Sequence, residues 1–175
     1  VVPMLPEALS NGVCSLNAGE DKYALSAIIN LSSDGEILST KLEPSIIRSR
    51  VRGVYSEVND IFEGVASAEL LKKYKAVLPT LEKMKELYLV LRARSEKRGA
   101  LELDRAEAEI ILSDSGDPID IVKRERKDAE RLIEQFMLIA NETVASAMTW
   151  LDVPFIYRVH EEPKEDKISN FPTSL

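Results

Sequence analysis

The sequence predicts an α+β fold: a twisted, mainly antiparallel sheet covered by long helices. Three observations carry this. Residues 23–31 (YALSAIINL) and 36–42 are β-prone runs joined by Ser32-Ser33-Asp34-Gly35, and Asp-Gly between two such runs is a hairpin signal. Residues 108–112 (AEIIL) and 119–122 repeat the pattern around a turn at 113–118. Residues 128–151 place Ala129, Leu132, Ile133, Phe136, Met137, Ala140, Val144, Ala147 and Met148 at three- and four-residue steps, which makes a broad apolar stripe on one long helix. Locally paired strands mixed with long helices belong to the α+β class.

Taken in order, residues 1–20 carry Pro3, Pro6, Gly12 and Gly19 and read as extended loop with one turn of helix near 6–9. In the second strand Pro44 interrupts the pairing, and Ile46 and Ile47 resume it. Arg48, Arg50 and Arg52 then alternate, so an extended chain sets all three on one side. Such a strip either solvates an edge strand or contacts phosphates. Residues 55–62 form a short helix that stops near Gly64. A longer helical pattern runs over 69–98, with Pro79 as the point where it splits or kinks. Arg92, Arg94, Lys97 and Arg98 suit its C-terminus and Gly99 its stop. A basic run (Lys123, Arg124, Arg126, Lys127) leads into the long helix, where Asp128 is the candidate N-cap. Residues 155–159 (FIYRV) read as a last strand.

Composition narrows the function. With 175 residues, 45% of them hydrophobic and 30% charged, the chain is long enough for one domain with a core. No apolar run approaches the roughly 20 residues that cross a bilayer, so no membrane partner is expected. The net charge of −7 argues against binding nucleic acid through the whole surface, but not through a local basic channel. The single Cys14 forms no internal disulfide, which predicts a reducing, cytoplasmic home; its commoner role is that of a small buried hydrophobe. One histidine, His160, rules out a multi-histidine metal site. There is no glycine-rich phosphate loop, no Cys-x-x-Cys, no His-Glu-x-x-His and no nucleophile elbow. Asp104, Asp114, Asp117, Asp120 and Asp128 are scattered, and Asp114 and Asp117 suit turn chemistry better than magnesium. Glu134 and Asn141, seven residues apart, share a side of the long helix. They form either the wet edge of a core helix or the lining of a binding channel.

The run VVPMLPEALSNGVCSLN resembles a segment of the RNB-domain family, the ribonuclease II and ribonuclease R exoribonucleases. IIRSRVRGVYSEV, KRGALEL, DAERLIEQFMLIAN and YRVHEEP are similar to further family landmarks, in the family's order, and together they cover residues 1 to about 163. The resemblance implies an enzyme that hydrolyses single-stranded RNA processively from the 3′ end to nucleoside 5′-monophosphates, with Mg2+ ions held by carboxylates. It carries Tyr55 onto a tyrosine that contacts RNA in the catalytic channel, and Glu134 onto a glutamate near the terminal nucleotide. Glu134 binds and positions; it is not assigned as the base. Near Glu102 and Leu103 many relatives have a stacking phenylalanine that this sequence lacks.

The expectation is therefore a single partial domain over 1–175, the central part of an RNB catalytic domain. The family's aspartate cluster and its Thr-Ser-Pro-x-Arg motif fall outside this sequence, so no catalytic residue and no metal ligand is assigned within it, and the fragment alone is expected to be inactive. The RNA-binding candidates are Tyr55, Glu134, Asn141, Arg48, Arg50 and Arg52. The expected partners are single-stranded RNA, the missing segments of the parent chain and, through apolar faces those segments would cover, a second copy of the fragment. The rival readings are a non-catalytic RNA-binding or scaffold protein of the same fold, and a purely structural helical protein.

Overall fold

The structure, a computed structural model, describes residues 4–100, 107–113, 115–124, 126–159 and 161. A short π-helical turn (Ala8–Val13) precedes β1 (Asp21–Leu31) and β2 (Ile37–Arg48). Three helices follow: α1 (Tyr55–Glu63), α2 (Ala68–Tyr74) and α3 (Leu78–Lys97). Then come β3 (Glu107–Leu112), β4 (Pro118–Arg124) and α4 (Asp128–Trp150). The predicted α+β class is present. Its antiparallel strands form two separate two-stranded ribbons, β1–β2 and β3–β4.

Local chemistry sets most boundaries. The long helical pattern splits, and Pro79 opens α3 at its first turn, where the missing proline N–H costs no bond. At the end of α3 the Ala100 and Gly99 amides donate back to the Ser95 and Glu96 carbonyls, with Gly99 at φ +83°, a left-handed stop that glycine adopts freely. Gly35, in the β1–β2 turn, also has a positive φ, and a Cβ there would sit 3.2 Å from Val90 of α3. A side-chain-free turn is what lets this ribbon lie against the helix.

Four expectations need correction. Pairing runs through Pro44, opposite Leu25, with no register shift at that point. β2 is an edge strand of a two-stranded ribbon, where a proline nitrogen facing outward forfeits no ladder bond. Residues 155–159 form no strand, because no described strand lies beside them to pair with. Cys14 is exposed. Asp128 is not the cap of α4 but its first residue; the N-cap position is Lys127, which makes no side-chain cap.

The cap comes from another helix. Asn59 of α1, only 4% exposed, accepts a hydrogen bond from the Ala129 amide (2.9 Å) and donates to Glu130 Oε2 (3.0 Å). One turn on, Glu63 accepts from Lys127 Nζ at 2.8 Å. Among the described residues the buried apolar ones are Tyr74 of α2, Tyr88 and Leu91 of α3, and Ala129 and Leu132 of α4. The core therefore lies among the helices. The ribbons leave apolar side chains in solvent: Tyr23, Leu25 and Ile46 on one, Ile110, Ile119 and Ile121 on the other. By the strand register, Tyr23 faces Ile46 and Leu25 faces Pro44 on a single face of β1–β2.

Replacing Asn59 by Ala strands a buried amide and frees a carboxylate, and should destabilise the chain by about 2 kcal/mol. Asp128→Ala should cost under about 1 kcal/mol, the scale of a charge near a helix end. Urea unfolding followed by helix signal checks both; equal costs would contradict the cap assignment.

Candidate functional site

Tyr55, Asn59 and Glu63 are spaced four apart on α1, so they share one stripe. Asn59 and Glu63 use that stripe to grip the start of α4. Tyr55, one turn earlier, is thereby brought over the side of α4 that carries Glu130, Glu134 and Asn141. Together with Arg126, Ile133, Met137 and Leu138 these residues line an open cleft of about 460 Å³. The apolar part is Ile133, Met137 and Leu138. Around it stand a phenol, a guanidinium, two carboxylates and an amide.

Tyr55 heads α1, and a second set of contacts fixes that helix start. The Val54 amide donates to the Tyr74 hydroxyl (3.1 Å), which itself donates to Glu57 Oε2 (2.6 Å). Lys73 Nζ adds two bonds of 2.7 Å to the same carboxylate. The Lys73 bond first, and the Tyr74 bond after it, hold the Glu57 carboxyl below the usual carboxylate range. Burial first, then the Glu57 contact, pushes the Tyr74 hydroxyl above its ordinary value. On the other side of α4, Arg98 of α3 makes a bidentate pair with Glu142 (3.0 and 2.8 Å), which lowers the Glu142 carboxyl. These contacts fix α1, α3 and α4 around the cleft rather than entering it.

Glu134 is half-exposed and ion-paired to Arg126. It also borders a smaller cavity of about 150 Å³ between α3 and α4, lined by Tyr88, Arg92, Ser95, Arg131 and Gln135 among others. The Tyr88 hydroxyl, on a side chain 1% exposed, has no partner among the described residues. Glu134 and Asn141 both line the cleft, and their helix buries Ala129, Leu132 and Thr143 instead.

The arginine strip behaves differently. β2 ends at Arg48, whose guanidinium makes a bidentate pair with Asp21 across the ribbon (2.7 and 2.6 Å). Arg50 and Arg52 continue as exposed, irregular chain. None of the three lines the cleft. Alternation sets side chains on one side only while the backbone stays extended, and here the strand stops at the first of them. Glu102, Leu103, Asp114 and His160 lie outside the described residues. Asn59, Tyr74 and Arg126 shape the site without having been candidates. The 55/59/63 spacing was readable, but its target seventy residues away was not. Among the described residues no three His, Cys, Asp or Glu side chains come together to hold a metal ion.

Against known proteins, the sequence matches the family model described as RNB domain over residues 1–175. It is 43% identical over 171 residues to ribonuclease R 1 of Lactococcus lactis subsp. lactis, a match covering 98% of this chain and 21% of that protein. Ribonuclease R of Thermotoga maritima is 41% identical over 169 residues, covering 96% and 23%. Among solved structures, Mycoplasma genitalium RNase R in complex with ribose methylated single-stranded RNA superposes with a TM-score of 0.87 at 35% identity, covering 96% of this chain and 26% of that one. The chain spans less than a third of each of these proteins.

The Glu57 cluster sets a pH dependence for the helix start. A carboxyl held below its ordinary value stabilises the fold at pH above the usual glutamate range, and that contribution disappears as pH falls through the depressed value. Glu57→Gln should therefore lower the melting temperature at neutral pH, and the gap to the unsubstituted chain should close in acid. A gap independent of pH would show that the charge on Glu57 is not what ties α1 to Lys73 and Tyr74.

Proposed function

The chain belongs to the RNB-domain family, and from that premise we propose that it is the central part of the catalytic domain of a hydrolytic 3′–5′ exoribonuclease of ribonuclease R type. The parent protein degrades single-stranded RNA to nucleoside 5′-monophosphates in the cytoplasm. The observation that carries the site is the convergence of Tyr55, Glu134 and Asn141, 86 residues apart at the extremes, on one cleft. The relative bound to single-stranded RNA, similar over nearly the whole chain, supports RNA as the occupant.

The cleft suits the end of an RNA strand by its chemistry. The exposed ring of Tyr55 offers a stacking surface, and Ile133, Met137 and Leu138 an apolar bed for a base or sugar. The Glu134 carboxylate accepts hydrogen bonds from sugar hydroxyls, which DNA has fewer of to give. The Asn141 amide both donates and accepts. These groups hold and orient; none is assigned to proton transfer or to attack on the phosphorus. Mg2+ supplies the activation of water in the parent enzyme. The family resemblance puts its carboxylate ligands in the rest of the parent chain, and on that reading these 175 residues alone are inactive. Arg48, Arg50 and Arg52 remain candidates for phosphate contact outside the cleft, with Arg50 and Arg52 the better placed because Arg48 is engaged by Asp21.

A 5′-labelled single-stranded RNA with magnesium tests this directly. The full-length protein encoded around this sequence should produce a ladder shortening from the 3′ end, and the 175-residue chain should not. Glu134→Ala should slow the full-length enzyme about tenfold to a hundredfold, in line with the loss of one or two charge-assisted contacts. RNA binding without cleavage by the full-length protein would favour a scaffold instead. The exposed apolar ribbons predict that the isolated chain self-associates; a monomeric sedimentation profile at high concentration would count against their being surfaces normally covered by the parent.

A further inference from the structure

We propose that Arg126 is an additional RNA-binding residue of the cleft, contacting a backbone phosphate directly, with Glu134 as the group that holds it in place. This rests on the reading of the cleft as an RNA site and adds to it the residue that makes the site tolerable for a polyanion.

The argument begins with the charge of the lining. Of the eight residues around the cleft, Glu130 and Glu134 are acidic and Arg126 is the one cation. The chain as a whole carries −7. An RNA phosphate entering this space meets two carboxylates and needs local compensation. Glu130 is already engaged by the buried Asn59 amide, at 3.0 Å. Glu134 is ion-paired to Arg126, through one terminal nitrogen of the guanidinium. A guanidinium presents five N–H donors in a planar fork, so this pairing leaves the other edge with donors to offer.

The place of Arg126 in the chain supports the same role. It precedes α4 by two residues, in backbone without regular structure, and reaches eight residues forward to Glu134. A surface ion pair of this kind contributes under about 1 kcal/mol to stability, so fold stability gives little reason for the reach. Its effect is on position: the guanidinium is drawn down onto the cleft wall beside Tyr55 instead of extending into solvent. The smaller cavity between α3 and α4 shares Glu134 and Leu138 with the cleft and is lined by two other arginines, Arg92 and Arg131.

The test is the salt dependence of RNA binding by the full-length protein, measured with a fluorescent single-stranded oligoribonucleotide in EDTA so that no cleavage occurs. Each phosphate neutralised on a single strand contributes about 0.7 to the slope of log affinity against log salt. Arg126→Gln should reduce the magnitude of the slope by about 0.7 and weaken binding about tenfold, equally for RNAs of different sequence. Arg126→Lys should restore the slope while recovering only part of the affinity, since an ammonium keeps the charge and loses the fork. An unchanged slope in Arg126→Gln overturns the proposal. Should the unsubstituted full-length protein fail to bind RNA, the reading of the cleft itself falls. Unaltered melting of Arg126→Lys serves as the check that the fold is kept.

Discussion

The arrangement depends on one buried side chain. Asn59 leaves α1 and gives its carbonyl to the Ala129 amide and its amide to Glu130. Four N–H groups at a helix start lack internal partners, and a buried helix end needs them met from elsewhere. Here the donor of the cap is a different helix, so satisfying the end of α4 and docking α1 are the same event. Because Tyr55 and Glu63 lie one turn to either side of Asn59, that event also seats Tyr55 over the cleft and brings Glu63 to Lys127. A single unsatisfied polar group thus couples packing to the geometry of the site.

The helix that carries the cleft divides its surface. Ala129, Leu132 and Thr143 turn inward against the helical core, while Glu134, Met137, Leu138 and Asn141 stand on the opposite flank. Sequence periodicity recognised the apolar stripe but not its limits: Met137 fits the stripe and is 59% exposed, and Thr143 breaks it and is 3% exposed. An amphipathic pattern assigns a helix one buried side. This helix uses part of its apolar residues for the core and part for the cleft, and only the partners of each decide which.

Much of the fold was legible because local chemistry fixed it. Asp34-Gly35 makes the first hairpin turn, Pro79 starts α3, and Gly64 and Gly99 end helices at positive φ. What failed to show was long-range. Asp128 reads as a cap by composition and is displaced from that role by a side chain seventy residues earlier. The FIYRV run has strand propensity and no described strand to pair with. Pro44 reads as a breaker and is accommodated because β2 has a partner on one side only. At the site, Tyr55 and Glu134 were found by family resemblance, and Asn141 by its seven-residue spacing from Glu134. Arg126 stands in the basic run before α4 with nothing to separate it from its neighbours, and Asn59 carries no local signal that separates it from ordinary surface residues.

The central claim is that the Asn59 junction presents the Tyr55–Glu134–Asn141 cleft to RNA. The most direct measurement is photocrosslinking from a benzophenone amino acid placed at Met137, an exposed residue of the cleft lining, in the full-length protein with single-stranded RNA. The account predicts a crosslink to nucleotides at the 3′ end, which weakens when Asn59 is replaced by Ala, and no comparable crosslink from Lys83 on the exposed surface of α3. Equal crosslinking from both positions, or a Met137 crosslink indifferent to Asn59, would contradict it.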